Sequence, residues 1–184
     1  MRVISGTARG TKLNSIDNIS TRPTLDRVKE PLFSIIQTHL QESNVLDLFA
    51  GSGALGIEAL SRGAKHCTFC DKSYETIKML KQNLEKAKLE DKGTIFIKDY
   101  KKCLKELNNK KYDIIFIDPP YKLDIAVNSI KLILEYNMIS KDGIIILETD
   151  EEERELEELE NINLEVYDVR KYGRVSLIFL RERG

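Results

Sequence analysis

Residues 111–121 read Lys111-Tyr-Asp-Ile-Ile-Phe-Ile-Asp118-Pro119-Pro120-Tyr121, an apolar run ending in a carboxylate, two prolines and an aromatic ring. Those last four residues suit the alkylation of an exocyclic amine on a nucleobase. Such an amine is a poor nucleophile because its lone pair is delocalised into the ring. The Asp118 carboxylate and the Pro119 carbonyl could accept its two N–H bonds and favour a pyramidal nitrogen. Acceptors fixed in advance also stabilise the positive charge that grows as an alkyl group arrives. Tyr121 could stack on a base taken out of its helix. Pro119 and Pro120 have no N–H to donate and would end strand pairing at a stiff turn. A plain strand-to-loop turn with a capping aspartate would account for Asp-Pro-Pro alone, but not for Tyr121 or for a second motif upstream.

That second motif is Val45-Leu-Asp47-Leu-Phe49-Ala50-Gly51-Ser52-Gly53-Ala-Leu-Gly56-Ile-Glu-Ala-Leu60, an apolar strand, a glycine turn and a helix. Gly51 and Gly53 allow positive φ and close approach of a ligand, and the helix start behind them offers free N–H groups. Gly51-x-Gly53-x-x-Gly56 also matches the dinucleotide fingerprint, with Asp71 where a ribose-binding acid belongs, so an NAD-dependent oxidoreductase is a rival. Two features favour S-adenosyl-L-methionine instead. Asp47 at the mouth of the turn would repel a pyrophosphate but could pair with the ammonium of an amino-acid-bearing cofactor, and Asp118-Pro-Pro-Tyr121 has no evident part in hydride transfer. Asp99 could accept from an adenine amine with Tyr100 beside the ring, although an acid at a strand end is also a common helix cap. The residues expected to hold the cofactor are Asp47, Phe49, Ala50, Gly51, Ser52, Gly53, Asp71, Lys72, Asp99, Tyr100 and Thr24.

Alternating elements must carry these groups. Apolar runs predict strands at 44–49, 66–71, 94–98, 112–118 and 143–148, with helices at 55–62, 73–87, 100–107, 125–136 and 151–159 between and after them. Residues 164–172 and 174–181 read as a closing antiparallel pair turning at Gly173. The expected fold is α/β, a doubly wound, mostly parallel seven-stranded sheet of the Rossmann-like methyltransferase type, with an N-terminal β-hairpin extension. One domain of 184 residues is expected, residues 1–43 forming the hairpin and helix extension and 44–184 the catalytic core. Asp47, Asp71, Asp99 and Asp118 would then close four neighbouring strands at the edge where such sheets bind ligands.

With those motifs, the chain resembles the bacterial RsmD family of 16S rRNA (guanine-N2)-methyltransferases. The amino-terminal blocks, Arg2-Val-Ile-Ser-Gly6-x-x-Arg9-Gly10-x-Lys12-Leu13 and Thr21-Arg22-Pro23-Thr24-x-Asp26-Arg27-Val28-Lys29-Glu30, are its more specific part. Leu147-Glu148 and Lys171-Tyr-Gly173 extend it to the carboxyl end. The resemblance implies methyl transfer to the N2 amine of a guanine in 16S rRNA, with the small ribosomal subunit or an assembly intermediate as partner. It also implies Asp118 to Tyr121 as the catalytic loop and a segment around Arg22-Pro23-Thr24 closing over cofactor or base. Two positions depart from the pattern. Pro31 would either open a helix running to Gln41 or kink one begun near Asp26. Thr11 stands where a basic residue is common, leaving RNA contact there to Arg9 and Lys12. A DNA adenine-N6 methyltransferase and a non-catalytic ribosome-assembly module remain as alternatives, since the same loop could present either amine or merely bind.

Charge is balanced, 29 Lys and Arg against 30 Asp and Glu, so its distribution matters more than its sum. Up to Lys29 the charged residues are mostly basic, which marks Arg2, Arg9, Lys12, Arg22 and Arg27, with Lys122 beside the catalytic loop, as candidates for phosphate contact. The acidic run from Glu148 to Glu160 reads as a solvated face turned away from RNA. Cys67-x-x-Cys70 has metal or redox spacing, but residues three apart on a strand point to opposite faces, so buried free thiols are expected, Cys103 included, and no metal. No apolar run approaches the ~20 residues of a membrane span and no signal-peptide pattern opens the chain; a cytoplasmic protein without a membrane partner is expected.

Overall fold

The computed structural model describes residues 1–15, 23–120 and 124–184, the side chains of 23–26 excepted. The strands are β1 (Asn44–Asp47), β2 (His66–Asp71), β3 (Gly93–Ile97), β4 (Tyr112–Ile117), β5 (Ile139–Thr149), β6 (Glu165–Tyr172) and β7 (Val175–Arg181). They form one sheet in the order β3-β2-β1-β4-β5-β7-β6, with β1 to β5 parallel and β7 antiparallel to both its neighbours. The antiparallel insertion of β7 departs from the all-parallel dinucleotide-binding order and weighs against the NAD reading. Strand order reverses between β1 and β4, so the crevice of this sheet lies there.

Helices cover both faces, which is why the strands show apolar runs without alternation. On one face Val45, Phe69, Phe116 and Ile146 pack against α1 (Pro23–Ile35), α2 (Gln37–Leu40), α3 (Ala54–Ser61) and α4 (Tyr74–Ala87). On the other, Leu46, Cys70, Ile115 and Leu147 meet α5 (Tyr100–Glu106), α6 (Ile125–Glu135) and α7 (Glu152–Leu159). Cys67 and Cys70 fall in opposite clusters, and all three cysteines are buried free thiols. Among the described residues no helix is long and apolar enough to cross a membrane.

Two expectations need correction, and the alternatives at Pro31 are resolved. The N-terminal segment does not form two hairpin strands. It turns back with Val3 donating to Thr11 and Leu13 to Met1, but its ladder is a single bridge between Arg2 and Lys12. The amides that would lengthen it are engaged by α3: Ile4 and Ser5 donate to the Glu58 carboxylate, and Thr7 and Ala8 to Ser61. Pro31 does not open its helix but lies within one begun earlier, the second of the two arrangements weighed for it. Helix α1 begins at Pro23, where a missing N–H costs nothing, runs through Pro31 and breaks at Ile36. Finally, β5 begins at Ile139 rather than 143, because the register steps from Tyr112↔Ile139 to Ile114↔Ile144 and Asp142 takes a positive φ of 64° between them.

Candidate active site

The acids closing the strands share one edge at two depths. Asp47 is in register with Phe69 on β2 and Phe116 on β4. Asp71 and Asp118 lie two residues further along those flanking strands, about 6.6 Å beyond that level at ~3.3 Å per residue. Asp47 therefore forms the floor of the crevice, with Asp71 and Asp118 rising on either side. Residues level across parallel strands share a face, so all three carboxylates belong to the side on which α3 begins.

The glycine turn closes this cup. Leu48 donates to the Phe116 carbonyl and Ala50 to that of Cys70, which ties the turn to both neighbouring strands. Gly51 (φ +56°) donates to Asp71 Oδ2 at 3.0 Å, and Ser73 donates to Asp71 Oδ1 at 2.8 Å. Asp71 thus sets the position of the loop. A Cβ on Gly51 would meet nothing within 4 Å, so the loop leaves open space there, whereas one on Gly53 (φ +84°) would fall 2.1 Å from Leu80 Cδ1. At Gly56 a Cβ would sit 2.3 Å from Phe69 Cε1, so only glycine lets α3 lie this close to β2.

Asp47 is 2% exposed, and its Oδ2 accepts from the Gly56 N–H at 3.1 Å. It supplies the cap that the first turn of α3 lacks, because Gly53 at the N-cap has no side chain. Burial is the main force on its ionisation and pushes the carboxyl up to about 7; the Gly56 N–H opposes this, while the negative fields of Asp118 and Asp71 add to it. The floor of the crevice therefore holds a carboxylate that a cation would stabilise.

The remaining expected residues separate clearly. Phe49 is half-buried and packs against Tyr100, ring centroids 5.5 Å apart and tilted by 47°. Burial raises the Tyr100 hydroxyl, which is linked to Asn128 on α6. Asp99 is exposed and caps α5 through the Lys101 N–H at 2.9 Å, the structural role weighed against ligand binding above. Ser52 contributes its carbonyl to Asn83, and Lys72 is exposed at the end of β2. Pro119 and Pro120 extend from β4 at the open edge, half-buried and exposed respectively. Tyr121, Lys122 and Arg22 lie outside the described residues, as does the side chain of Thr24 within α1.

Arg2, Arg9, Lys12 and Arg27 are exposed, but Lys29, counted above with that basic run, is not. It is completely buried, with Nζ 3.1 Å from Glu58 Oε1 and donating to the Arg2 carbonyl at 2.7 Å. It falls on the apolar face of α1 beside Val28, Leu32 and Phe33, where it serves as the partner of a buried acid. The acidic run is likewise not wholly solvated, since Glu148 and Glu155 are buried. Among the described residues no cluster of three or more metal-ligating side chains occurs.

Two residues given no role in the sequence reading organise the site. Glu58 accepts from Ile4, Ser5 and Arg62 and pairs with Lys29, joining the N-terminal segment, α1 and α3. Burial opposes its ionisation, but the Ile4 N–H, Arg62 and Lys29 outweigh it and hold the carboxyl below its usual range. Asn83, fully buried on α4, donates to the Ser52 and Asn14 carbonyls and accepts from the Asn14 N–H. It locks the glycine turn to the N-terminal segment. Both gave a legible signal, a polar residue on an otherwise apolar helix face, but not the identity of their partners.

Comparison with known proteins gives the family. The profile of the family described as conserved hypothetical protein 95 matches residues 1–181. A Bacillus subtilis protein provisionally named an rRNA methyltransferase, YlbH, is 39% identical over the full length of both chains. Ribosomal RNA small subunit methyltransferase D of Haemophilus influenzae is 37% identical over 83% of this chain and 80% of its own. Among solved structures, the Escherichia coli protein yhhF, provisionally named a methyltransferase, superposes with a TM-score of 0.82 at 28% identity, covering 100% of this chain and 99% of its own. The chain belongs to the conserved hypothetical protein 95 family, the RsmD family of ribosomal RNA methyltransferases.

Proposed function

We propose that the protein transfers a methyl group from S-adenosyl-L-methionine to the exocyclic N2 amine of a guanine in 16S rRNA, within the small ribosomal subunit or an assembly intermediate. The observation that carries this is the meeting of Asp118-Pro119-Pro120 with Asp47, Asp71 and the glycine turn across one crevice, in a family whose relatives include small-subunit rRNA methyltransferases. The donor set suits the cofactor. Asp47 is a buried carboxylate raised toward neutrality that an ammonium would satisfy, Asp71 two residues beyond that level on β2 could accept from a ribose hydroxyl, and the space over Gly51 would admit a ligand where a pyrophosphate would face Asp47.

When bound, S-adenosylmethionine supplies an electrophilic methyl carbon on a sulfonium. The protein's part is placement and charge. Asp118 and the Pro119 carbonyl hold the two amine protons and turn the nitrogen lone pair toward that carbon. The positive charge that grows on this nitrogen as it takes the methyl group would face the Asp118 carboxylate. Asp118 can then take a proton from the methylated nitrogen. Tyr121 stacks on the flipped base, offsetting part of the few kcal/mol that unstacking costs.

Incubation with methyl-tritiated cofactor and small subunits lacking the modification, with naked 16S rRNA and duplex DNA in parallel, tests this reading. Label on a guanine N2 is expected. Label on DNA adenine, or none on any nucleic acid with cofactor demonstrably bound, would overturn it.

A further inference from the structure

Helices α5 and α6 lie side by side on the sheet face opposite α3, and between them runs a groove of roughly 480 Å³. Four lysines line it, Lys101, Lys102 and Lys105 from α5 and Lys131 from α6, together with Asn128 and Tyr136. In a chain of net charge −1 this is a local concentration of charge and not a reflection of composition. None of the four is in an ion pair among the described residues, although Glu106 and Glu135 stand four positions beyond Lys102 and Lys131; Glu106 is engaged by Lys98.

Position decides what this groove could hold. Helix α5 begins directly after Asp99, and α6 follows the loop that leaves Asp118 on β4. Both helix starts therefore sit at the catalytic edge, and the groove runs away from it down one side of the sheet. Arg2, Lys12 and Arg27 belong to the segment and helix on the other side, packed with α3. A strand that delivers one base into the crevice must leave it in both directions. Its flanks would then meet basic surface on both faces.

We propose that the α5–α6 groove is a track for the phosphate backbone of the RNA strand on one side of the target nucleotide. Lysines suit this role as point charges on flexible stems; Tyr136 and Asn128 add an apolar wall and a polar group beneath a ribose or base. The inference rests on the reading that the substrate is RNA.

The test compares wild-type protein with Lys102→Glu/Lys105→Glu/Lys131→Glu. A control carries the same charge change at the opposite edge of the sheet, Lys65→Glu/Lys92→Glu/Lys141→Glu, three exposed lysines of which the first two directly precede β2 and β3 and the third lies near the start of β5. Methyl transfer to small subunits and to naked 16S rRNA is followed with salt, and S-adenosylhomocysteine affinity reports the folded cofactor site. The groove variant is expected to keep that affinity and its kcat, while KM for RNA rises about 10- to 100-fold and the logarithmic salt slope of binding falls by about 2. The control should change neither. An unaltered KM and slope in the groove variant, with wild-type still methylating RNA, would overturn the groove and leave the substrate reading intact. Wild-type methylation of DNA or protein, and not RNA, would overturn both.

Discussion

Cofactor affinity should depend on pH through Asp47, and the size of the effect follows from the floor of the crevice. Burial holds this carboxyl near pKa 7 in the unliganded protein, against 3.8 for the free side chain. Pairing with the ammonium of S-adenosylhomocysteine requires the ionised form and would return the pKa to the ordinary carboxylate range. Binding then competes with a proton, and apparent Kd scales as 1 + 10^(7 − pH) with the raised value. That factor is about 11 at pH 6 and about 1.3 at pH 7.5, so affinity should weaken roughly eightfold on acidification. Near pH 7 the complex should release about half a proton. Calorimetry in two buffers of different ionisation enthalpy measures both quantities. Asp47→Asn keeps a side-chain oxygen for the Gly56 N–H but cannot titrate, so its affinity should be weaker and flat across the same range. The stability of the unliganded protein should move the opposite way. A folded pKa above the unfolded one favours the protonated form, so this contribution is complete below about pH 3.8 and lost as pH rises to about 7, up to about 4 kcal/mol in all. Ligand should therefore raise Tm more at pH 7.5 than at pH 6. A wild-type Kd constant within twofold, or the same slope in Asp47→Asn, would refute the pairing.

If Asp118 faces the target amine as proposed, Asp118→Ala should cut single-turnover methyl transfer by about 10³-fold while changing S-adenosylhomocysteine affinity less than threefold. Glu58→Ala leaves Lys29 charged at zero exposure and the Ile4 and Ser5 amides unpaired, and should cost about 3–5 kcal/mol in urea unfolding. The paired change Lys29→Met/Glu58→Leu should cost less than Glu58→Ala alone, and a larger loss would show that the cost does not come from a buried Lys29 left without its acid. Asn83→Leu removes the tie between the glycine turn and Asn14 and should weaken cofactor binding with a stability loss of about 1–3 kcal/mol; unchanged binding would place the loop's order elsewhere. Gly53→Ala forces a methyl within 2.1 Å of Leu80 at positive φ and should destabilise by about 1–3 kcal/mol, read as a lowered Tm.

The sequence by itself determined the features that depend on neighbours along the chain. Unalternating runs such as Ile114–Ile117 required a sheet covered on both faces, and the structure has them fully buried. The turn at Gly51 to Gly53, the proline stop after Asp118 and the reversal at Gly173 are local backbone chemistry and were legible as such. Acids closing successive strands mark one edge of the sheet through their spacing alone, although Asp99 among them caps α5. Tertiary structure alone decided where buried polar groups find partners. Glu58 and Ile4 are 54 residues apart, and Asn83 and Asn14 are 69 apart. Hydrophobic period reports which face is buried but carries no information on which donor meets which acceptor there. That is why Lys29 could be counted as surface charge when it neutralises a buried acid, and why the expected hairpin gave way to amides docked on α3. The same limit hid the lysine groove, since Lys131 stands 26 positions beyond Lys105 and only the packing of α5 on α6 brings them to one groove.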